Sequence, residues 1–274
     1  MVFLYIILSV IIVVCAWLFL IAPGDDTNMK KYKDVKYAHR GLHGTVGYDS
    51  FCAENSMTAF ARAKEKGFGI ELDVRVSKDG EVVVFHDADV KRVTGAEGRV
   101  CELTLAQLRE LSLMETNDTV PTLNEVLELI DGAVPILVEL KEETLDHTIS
   151  EKTAEVLKHY RGDFIVESFS PLAFGAFKKN MPEVCRGFLA HKSTEIERCR
   201  TFKHRVIQRF LLNFMVRPAF IAMSRKTPGL FPMPVIKALF KTPMIAWTVR
   251  SKEEEIEAYK NGFSGIIFEN YIPE

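Results

Sequence analysis

The chain has 274 residues, and its 35 Lys and Arg against 37 Asp and Glu leave a formal net charge of -2. That balance provides no global positive field, so composition argues against a nucleic-acid partner. The cysteines are Cys15, Cys52, Cys101, Cys185 and Cys199, an odd set without a CxxC pair; it fits neither a disulfide framework nor a zinc site and suits a reducing compartment.

Val2 to Ala22 is apolar but for Ser9 and carries no charge. About 20 apolar residues cross a hydrocarbon core, and a buried helix of that length would show a polar face, so a single transmembrane helix is expected. A cleaved signal peptide would carry a basic n-region, and no Lys or Arg precedes the run. Lys30, Lys31, Lys33 and Lys36 follow it closely. Basic flanks stay cytoplasmic, which predicts a single-pass membrane protein with its catalytic domain in the cytoplasm. The expected division is a transmembrane helix over 1–22, a linker over 23–34 and a catalytic domain over 35–274.

Beyond the turn-rich Pro23–Asn28, strand-like runs alternate with helical patterns. The strand candidates are Val35–Ala38, Gly69–Val74, Val82–Phe85, Ile136–Leu140, Phe164–Glu167, Arg186–Leu189, Phe220–Ala222, Met244–Val249 and Gly265–Phe268. Helix candidates are Ser56–Lys66, Leu105–Leu111, Leu123–Ile130, Ser150–Tyr160, Leu172–Lys179 and Lys252–Lys260, with Asn55 and Ser251 as N-caps of the first and last. The alternation predicts an α/β fold, a (β/α)8 TIM-type barrel, preceded by the transmembrane helix. It is expected to be somewhat distorted. Nine strand candidates exceed the eight of a closed barrel, and Asp79-Gly80 joins the second and third by a tight turn with no room for a helix.

Four short motifs fall at the C-terminal ends of predicted strands: His39-Arg40-Gly41, Glu71-Leu72-Asp73, His86-Asp87 and Glu139-Leu140-Lys141. Barrel enzymes keep their chemistry there. Glu71 and Asp73 are two apart on a strand and share one face. Carboxylates turned into a buried interior repel one another. A divalent cation would compensate them, and Glu139 supplies a third oxygen ligand. An all-carboxylate set suits Mg²⁺ or Ca²⁺ better than zinc. Arg40 and Lys141 beside the acids suit a phosphodiester anion. Two histidines, His39 and His86, suit proton transfer to and from oxygens at phosphorus.

The ordered motifs AHRG, Glu54-Asn55-Ser56, IELDV, VVFHD and VELK, then Ser168-Phe169-Ser170-Pro171, Ala246-Trp247-Thr248-Val249 and Gly265-Ile266-Ile267 resemble the glycerophosphodiester phosphodiesterase family. The resemblance runs from Val35 to the C-terminus. It implies a (β/α)8 barrel that cleaves glycerophosphodiesters to sn-glycerol 3-phosphate and an alcohol, through attack of an adjacent glycerol hydroxyl and a cyclic phosphate. On the matching positions it makes His39 and His86 the catalytic pair, Glu71, Asp73 and Glu139 the ligands of one divalent cation, and Arg40 and Lys141 the phosphate contacts. Glu54 would serve the metal or the glycerol. The family often closes with an Ile-Thr-Asp-like segment, where this chain has Phe268-Glu269-Asn270, so the role of that acid is open. The stretch Ala88–Thr119 is short for a cap and implies an open mouth.

Thr201–Arg217 carries Phe202, Val206, Phe210 and Phe214 every four residues, with Lys203, Arg205 and Arg209 elsewhere on the wheel. It reads as a barrel helix with solvated bases, or as an interfacial helix on anionic lipid joined by the apolar loop Gly229–Pro234. Trp247 reads equally as barrel filling or as a substrate wall. The substrate is expected to be a small-molecule or lipid-derived phosphodiester, with a lysophospholipid-type diester favoured by the anchor. Two alternatives remain: a lyase-type cleavage that stops at the cyclic phosphate, and an inactive membrane-tethered binding barrel.

Overall fold

The structure, a computed structural model, describes residues 1–25, 27–141, 148–191, 206–207, 209–227, 229 and 231–274. Its strands are β1 (Lys36–Ala38), β2 (Gly69–Val76), β3 (Val82–Val84), β4 (Ile136–Leu140), β5 (Phe164–Ser168), β6 (Arg186–Ala190), β7 (Phe220–Ser224), β8 (Met244–Val249) and β9 (Gly265–Phe268). They join in the order β1-β9-β8-β7-β6-β5-β4-β2-β3, and β1 also pairs in parallel with β2. That last pairing closes all strands but β3 into a parallel eight-stranded barrel. β3 folds back antiparallel on β2, Val84 opposite Val74 and Val82 opposite Val76. The surplus strand is therefore the outer arm of a hairpin on an otherwise regular barrel.

Strand periodicity sorts the side chains. On β2, Ile70, Leu72 and Val74 face outward into the main core, and on β4 so do Ile136, Val138 and Leu140. Inward residues form layers. The lower layer is apolar: Tyr37, Leu137, Ile165, Phe220, Ile245 and Ile267 pack together. Gly187 makes room there, since a β-carbon on it would lie 2.0 Å from the Phe220 ring. The segment expected as a linker contains a 3-10 turn, Thr27–Tyr32, whose buried Met29 and Tyr32 join this cluster from below. The Tyr32 hydroxyl donates to the Phe164 carbonyl at 2.8 Å, at the start of β5. Above this plug the inward residues become charged.

Local signals explain most helix boundaries. Thr104 and Thr122 begin helices Leu105–Arg109 and Leu123–Ile130 with reciprocal capping boxes to Gln107 and Glu125. Ser251 caps Lys252–Lys260 as expected. Ser56, rather than Asn55, caps Met57–Glu65, accepting from the Ala59 amide. Asn55 is drawn into the barrel instead. Helix Met233–Phe240 begins within the Pro-rich loop, because proline in a first helical turn forfeits no intrahelical hydrogen bond. Helix α1, Val2–Ile21, is exposed along most of its length, and Ile21 alone among its described residues is fully buried. Of the basic aromatic segment, residues 201–205 and 208 lie outside the described residues, as do Leu230 and Cys199. Asn213–Val216 is a short helix.

Candidate active site

The mouth of the barrel gathers most of the sequence-predicted residues. At the end of β1, Arg40 and Gly41 both take left-handed backbone conformations, φ 55° and 79°. A β-carbon on Gly41 would lie 2.8 Å from that of Ala59, so the turn requires glycine. The turn aims the Arg40 amide at Glu71 Oε2, 2.8 Å away. Asn55, also left-handed at φ 53°, donates its side-chain amide to Asp73 Oδ2 at 2.8 Å.

Glu71, Asp73 and Glu139 are buried, and each offers an oxygen within 4.8 Å of the others. Register brings this about, because Asp73 on β2 lies opposite Glu139 on β4. Lys141 Nζ bridges the two, 2.9 Å from Asp73 Oδ1 and 2.7 Å from Glu139 Oε1. Burial pushes the Glu71 carboxyl well above the usual range, reinforced by Asp73 and Glu139. Burial acts on Asp73 too, but Lys141, His86 and Arg40 outweigh it and hold that carboxyl well down. Glu139 is raised by burial, which Lys141 only partly offsets. The resident cations thus fall short of neutralising all three acids. A small divalent cation among their oxygens would meet that deficit, so the residues fit the metal that the sequence implied.

Glu167 is a fourth inward carboxylate that the motifs missed. It lies opposite Glu139 on β5, is 1% exposed and has no hydrogen-bond partner for Oε2 among the described residues. Burial, then Glu139 and Glu71, push its carboxyl well up. Strand alternation in FIVES would have revealed it.

The two histidines flank this group with matching surroundings. His39 Nδ1 lies 2.6 Å from Glu269 Oε2, and Arg250 Nε donates to Glu269 Oε1 at 2.6 Å. His86 Nδ1 lies 2.7 Å from Asp87 Oδ1, and Arg92 Nε donates to Asp87 Oδ2 at 2.5 Å. Each ring therefore has an arginine-held carboxylate at Nδ1, which favours the tautomer with the proton on Nδ1 and leaves Nε2 for chemistry. Arg75 further fixes the His86 backbone, its Nε and Nη2 donating to the carbonyl at 2.9 and 2.6 Å. Burial lowers His86 to about 4, with Asp73 opposing and Lys141 and Arg40 adding to the fall. Burial also lowers His39, but Glu269 opposes it. Glu269 is held at about 2, because His39 and Arg250 outweigh burial.

Glu54 sits apart from the three clustered acids, between two arginines. Arg40 Nη1 donates to its Oε1 at 2.8 Å and Arg92 Nη1 to its Oε2 at 3.0 Å. His43, unpredicted, places Nε2 4.0 Å from Glu269 Oε2. Trp247 on β8 meets Phe169 edge-on, centroids 6.0 Å apart, and its buried Nε1 has no hydrogen-bond partner among the described residues. The arrangement can hold a hard cation, bind an anion through Arg40 and Lys141, and exchange protons on two sides of it.

The sequence model of the glycerophosphoryl diester phosphodiesterase family matches residues 39–271. A glycerophosphodiester phosphodiesterase of Caldanaerobacter subterraneus is 30% identical over 254 residues, 86% of this chain and 93% of the relative. An Oleispira antarctica phosphodiesterase, solved in complex with the product sn-glycerol-3-phosphate, shares the fold at TM-score 0.71 and 24% identity, over 88% of this chain and 95% of its own. A Thermotoga maritima glycerophosphodiester phosphodiesterase superposes at TM-score 0.63 and 26% identity, over 86% and 94%.

Proposed function

The chain belongs to the glycerophosphoryl diester phosphodiesterase family, and on that premise we propose how its residues hydrolyse a glycerophosphodiester. It is a phosphoric diester hydrolase. One observation carries the residue-level reading: two histidines, each tied at Nδ1 to an arginine-held carboxylate, flank three buried carboxylates.

Glu71, Asp73 and Glu139 would hold one Mg²⁺ or Ca²⁺, which supplies Lewis acidity toward the phosphate oxygens. Arg40 and Lys141 bind the phosphodiester anion. His86, neutral because its pKa is lowered to about 4, takes the proton from the adjacent glycerol hydroxyl through Nε2. That oxygen bonds to phosphorus as the bond to the leaving alcohol breaks. His39, whose protonated form Glu269 favours, gives its Nε2 proton to the departing oxygen. The product of this step is a cyclic phosphate. In the second step His39 takes a proton from water, water oxygen bonds to phosphorus, and His86 returns its proton to the opened ring oxygen. The sum is sn-glycerol 3-phosphate, or a larger phosphomonoester, plus an alcohol. Trp247 and Glu54 line the glycerol side.

Residues 35–274 form the catalytic domain, and residues 23–34 connect it to α1. With 20 residues and a mean hydropathy of 3.0, α1 is long and apolar enough to cross a membrane. We read it as a membrane span with the catalytic domain on the cytoplasmic side, next to Lys30, Lys31, Lys33 and Lys36. An anchored enzyme gains little on freely diffusing diesters, so a lysophospholipid-type diester is the preferred substrate.

The test is a panel of diesters assayed with Mg²⁺, Ca²⁺ and EDTA, with products identified. Monophosphate formation that EDTA abolishes is expected. Turnover indifferent to EDTA would remove the metal from the reading, and accumulation of cyclic phosphate would make the enzyme a lyase. Better turnover of glycerophosphocholine than of a lysophospholipid by detergent-solubilised enzyme would overturn the lipid preference.

A further inference from the structure

α1 is built into the barrel wall. The Asn213 side-chain amide donates to the Ile21 carbonyl at 2.9 Å, and Arg217 Nη1 donates to the carbonyls of Phe19 and Ala22 at 3.2 and 3.0 Å. These side chains satisfy carbonyls that a helix C-terminus leaves open. The Arg217 guanidinium also lies 4.6 Å from the Phe19 ring. Trp17 stacks on Phe231 with centroids 5.7 Å apart and planes 6° from parallel. A cleaved leader would have no such docking site, so these contacts favour a retained helix.

The contacts also give α1 a direction. Gly24 donates its amide to the Pro218 carbonyl at 2.9 Å, two residues before β7 begins, at the floor of the barrel. Phe231 belongs to the connection that leaves the C-terminal end of β7, at the mouth. From Gly24 back to Trp17 the chain thus climbs from floor to mouth. Residues 1–16 lie beyond Trp17 and are exposed throughout. A straight helix continues in the same direction, and Val2 to Trp17 adds about 22 Å at 1.5 Å per residue. The apolar length of α1 therefore projects on the side to which the active site opens. The same rim carries exposed Phe51, Phe231 and Ile272, the first two in connections leaving the C-terminal ends of β1 and β7 and the third in the segment that follows β9. The opposite end carries exposed Lys30, Lys31 and Lys33.

The geometry points to a barrel held mouth-down on the bilayer that α1 enters, with Phe51, Phe231 and Ile272 at the headgroups and the site open to diesters still resident in the lipid. Trp17, Phe19 and Phe231 then lie at the depth where aromatic side chains settle in membranes. A single-chain glycerophosphodiester reaches the carboxylate cluster with its acyl chain left in the leaflet. This inference rests on reading α1 as a membrane span, and the test separates the two.

Full-length protein in nanodiscs, its reactive native cysteines replaced by serine, is labelled with a fluorophore through Val10→Cys, Phe51→Cys or Lys33→Cys, one at a time. Lipids bearing spin labels act as quenchers, mid-chain labels for position 10 and shallow labels for positions 51 and 33. Labels at 10 and 51 should each lose at least half their emission, and the label at 33 should be unchanged. An unquenched label at 10 overturns the span and the orientation together. Quenching at 10 with none at 51, or with more at 33 than at 51, overturns the orientation and leaves the span standing. A second arm uses Phe231→Asp. It should lower turnover of bilayer-borne lysophospholipid at least fivefold and leave detergent-dispersed glycerophosphocholine unaffected; equal effects on both would count against substrate entry from the bilayer.

Discussion

Replacing Glu269 with Gln keeps the size of the side chain and removes its charge. In the wild type the carboxylate bridges His39 and Arg250 through two contacts of 2.6 Å. A hydrogen bond to a charged group contributes about 1.5–3 kcal/mol. At about 1.4 kcal/mol per tenfold in rate, loss of the contact in the transition state should cost kcat/KM about 10- to 150-fold. The sign of the pH effect follows from the same contact. Burial is the larger influence on His39 and lowers it, while Glu269 opposes that fall. Without the carboxylate the His39 pKa drops further. If His39 must be protonated to expel the alcohol, the alkaline limb of the pH–rate profile moves to lower pH. Glycerophosphocholine, with its poor leaving group, should show the full defect. A p-nitrophenyl diester, whose leaving group departs without a proton, should show much less. An equal loss on both substrates, or an unshifted alkaline limb, would refute the assignment of His39 as the acid positioned by Glu269.

Four further outcomes follow. His39→Ala and His86→Ala should each lower kcat on glycerophosphocholine by about 10²–10⁴, with thermal melts confirming an intact fold. Mg²⁺ or Ca²⁺ at about 100 times its dissociation constant should stabilise the protein by about 2.7 kcal/mol, an increase of about 5–10 °C in Tm for a chain of this size; Glu139→Gln should remove most of that shift in a melt with and without EDTA. If His86 acts neutral, the acid limb of kcat/KM follows its pKa of about 4, held there chiefly by burial, so the rate should not fall between pH 7 and 5.5, a range over which the lowered His39 gains its proton; an acid limb near pH 6.5 would contradict the environment of His86. Phe220→Ala should cost about 3–5 kcal/mol in denaturant unfolding, because the ring fills the space beside Gly187 in the lower barrel.

The legible features were those that short-range rules govern. Period-2 alternation placed Glu71, Asp73 and Glu139 on inward faces, and parallel register then brought them together. The Asp79-Gly80 turn announced a hairpin, although only the closing β1–β2 pairing shows which strand is surplus. What stayed hidden depends on distant segments meeting. Glu269 reaches His39 across 230 residues of sequence, and Arg92 reaches Glu54 across 38; neither pair has a spacing that sequence periodicity can register. Asn55 looked like a cap because it precedes a helix. Its left-handed backbone turns the side chain onto Asp73 instead, and Ser56 takes over the capping.

The matched surroundings of the two histidines bear on a two-step reaction. A residue that gives a proton in the first step must take one in the second, so each ring must hold its orientation in both charge states. An Nδ1–H donated to a carboxylate achieves this, since the contact survives whether Nε2 is protonated or bare. The carboxylate must itself remain ionised and fixed, and an arginine on its other oxygen does both. Glu269 has Arg250, and Asp87 has Arg92. Arg92 also grips Glu54, which in turn holds Arg40. Orientation of His86 is thereby linked to the arginine proposed to bind the phosphate, whereas His39 is tied to Glu269, just after the neighbouring strand β9. The remaining asymmetry is electrostatic. Lys141 and Arg40 both add to the fall that burial imposes on His86, while on His39 Glu269 opposes the fall that burial imposes. In the proposed mechanism this difference favours His86 as the first base and His39 as the first acid, and the transfer of one proton to each new position prepares the second step.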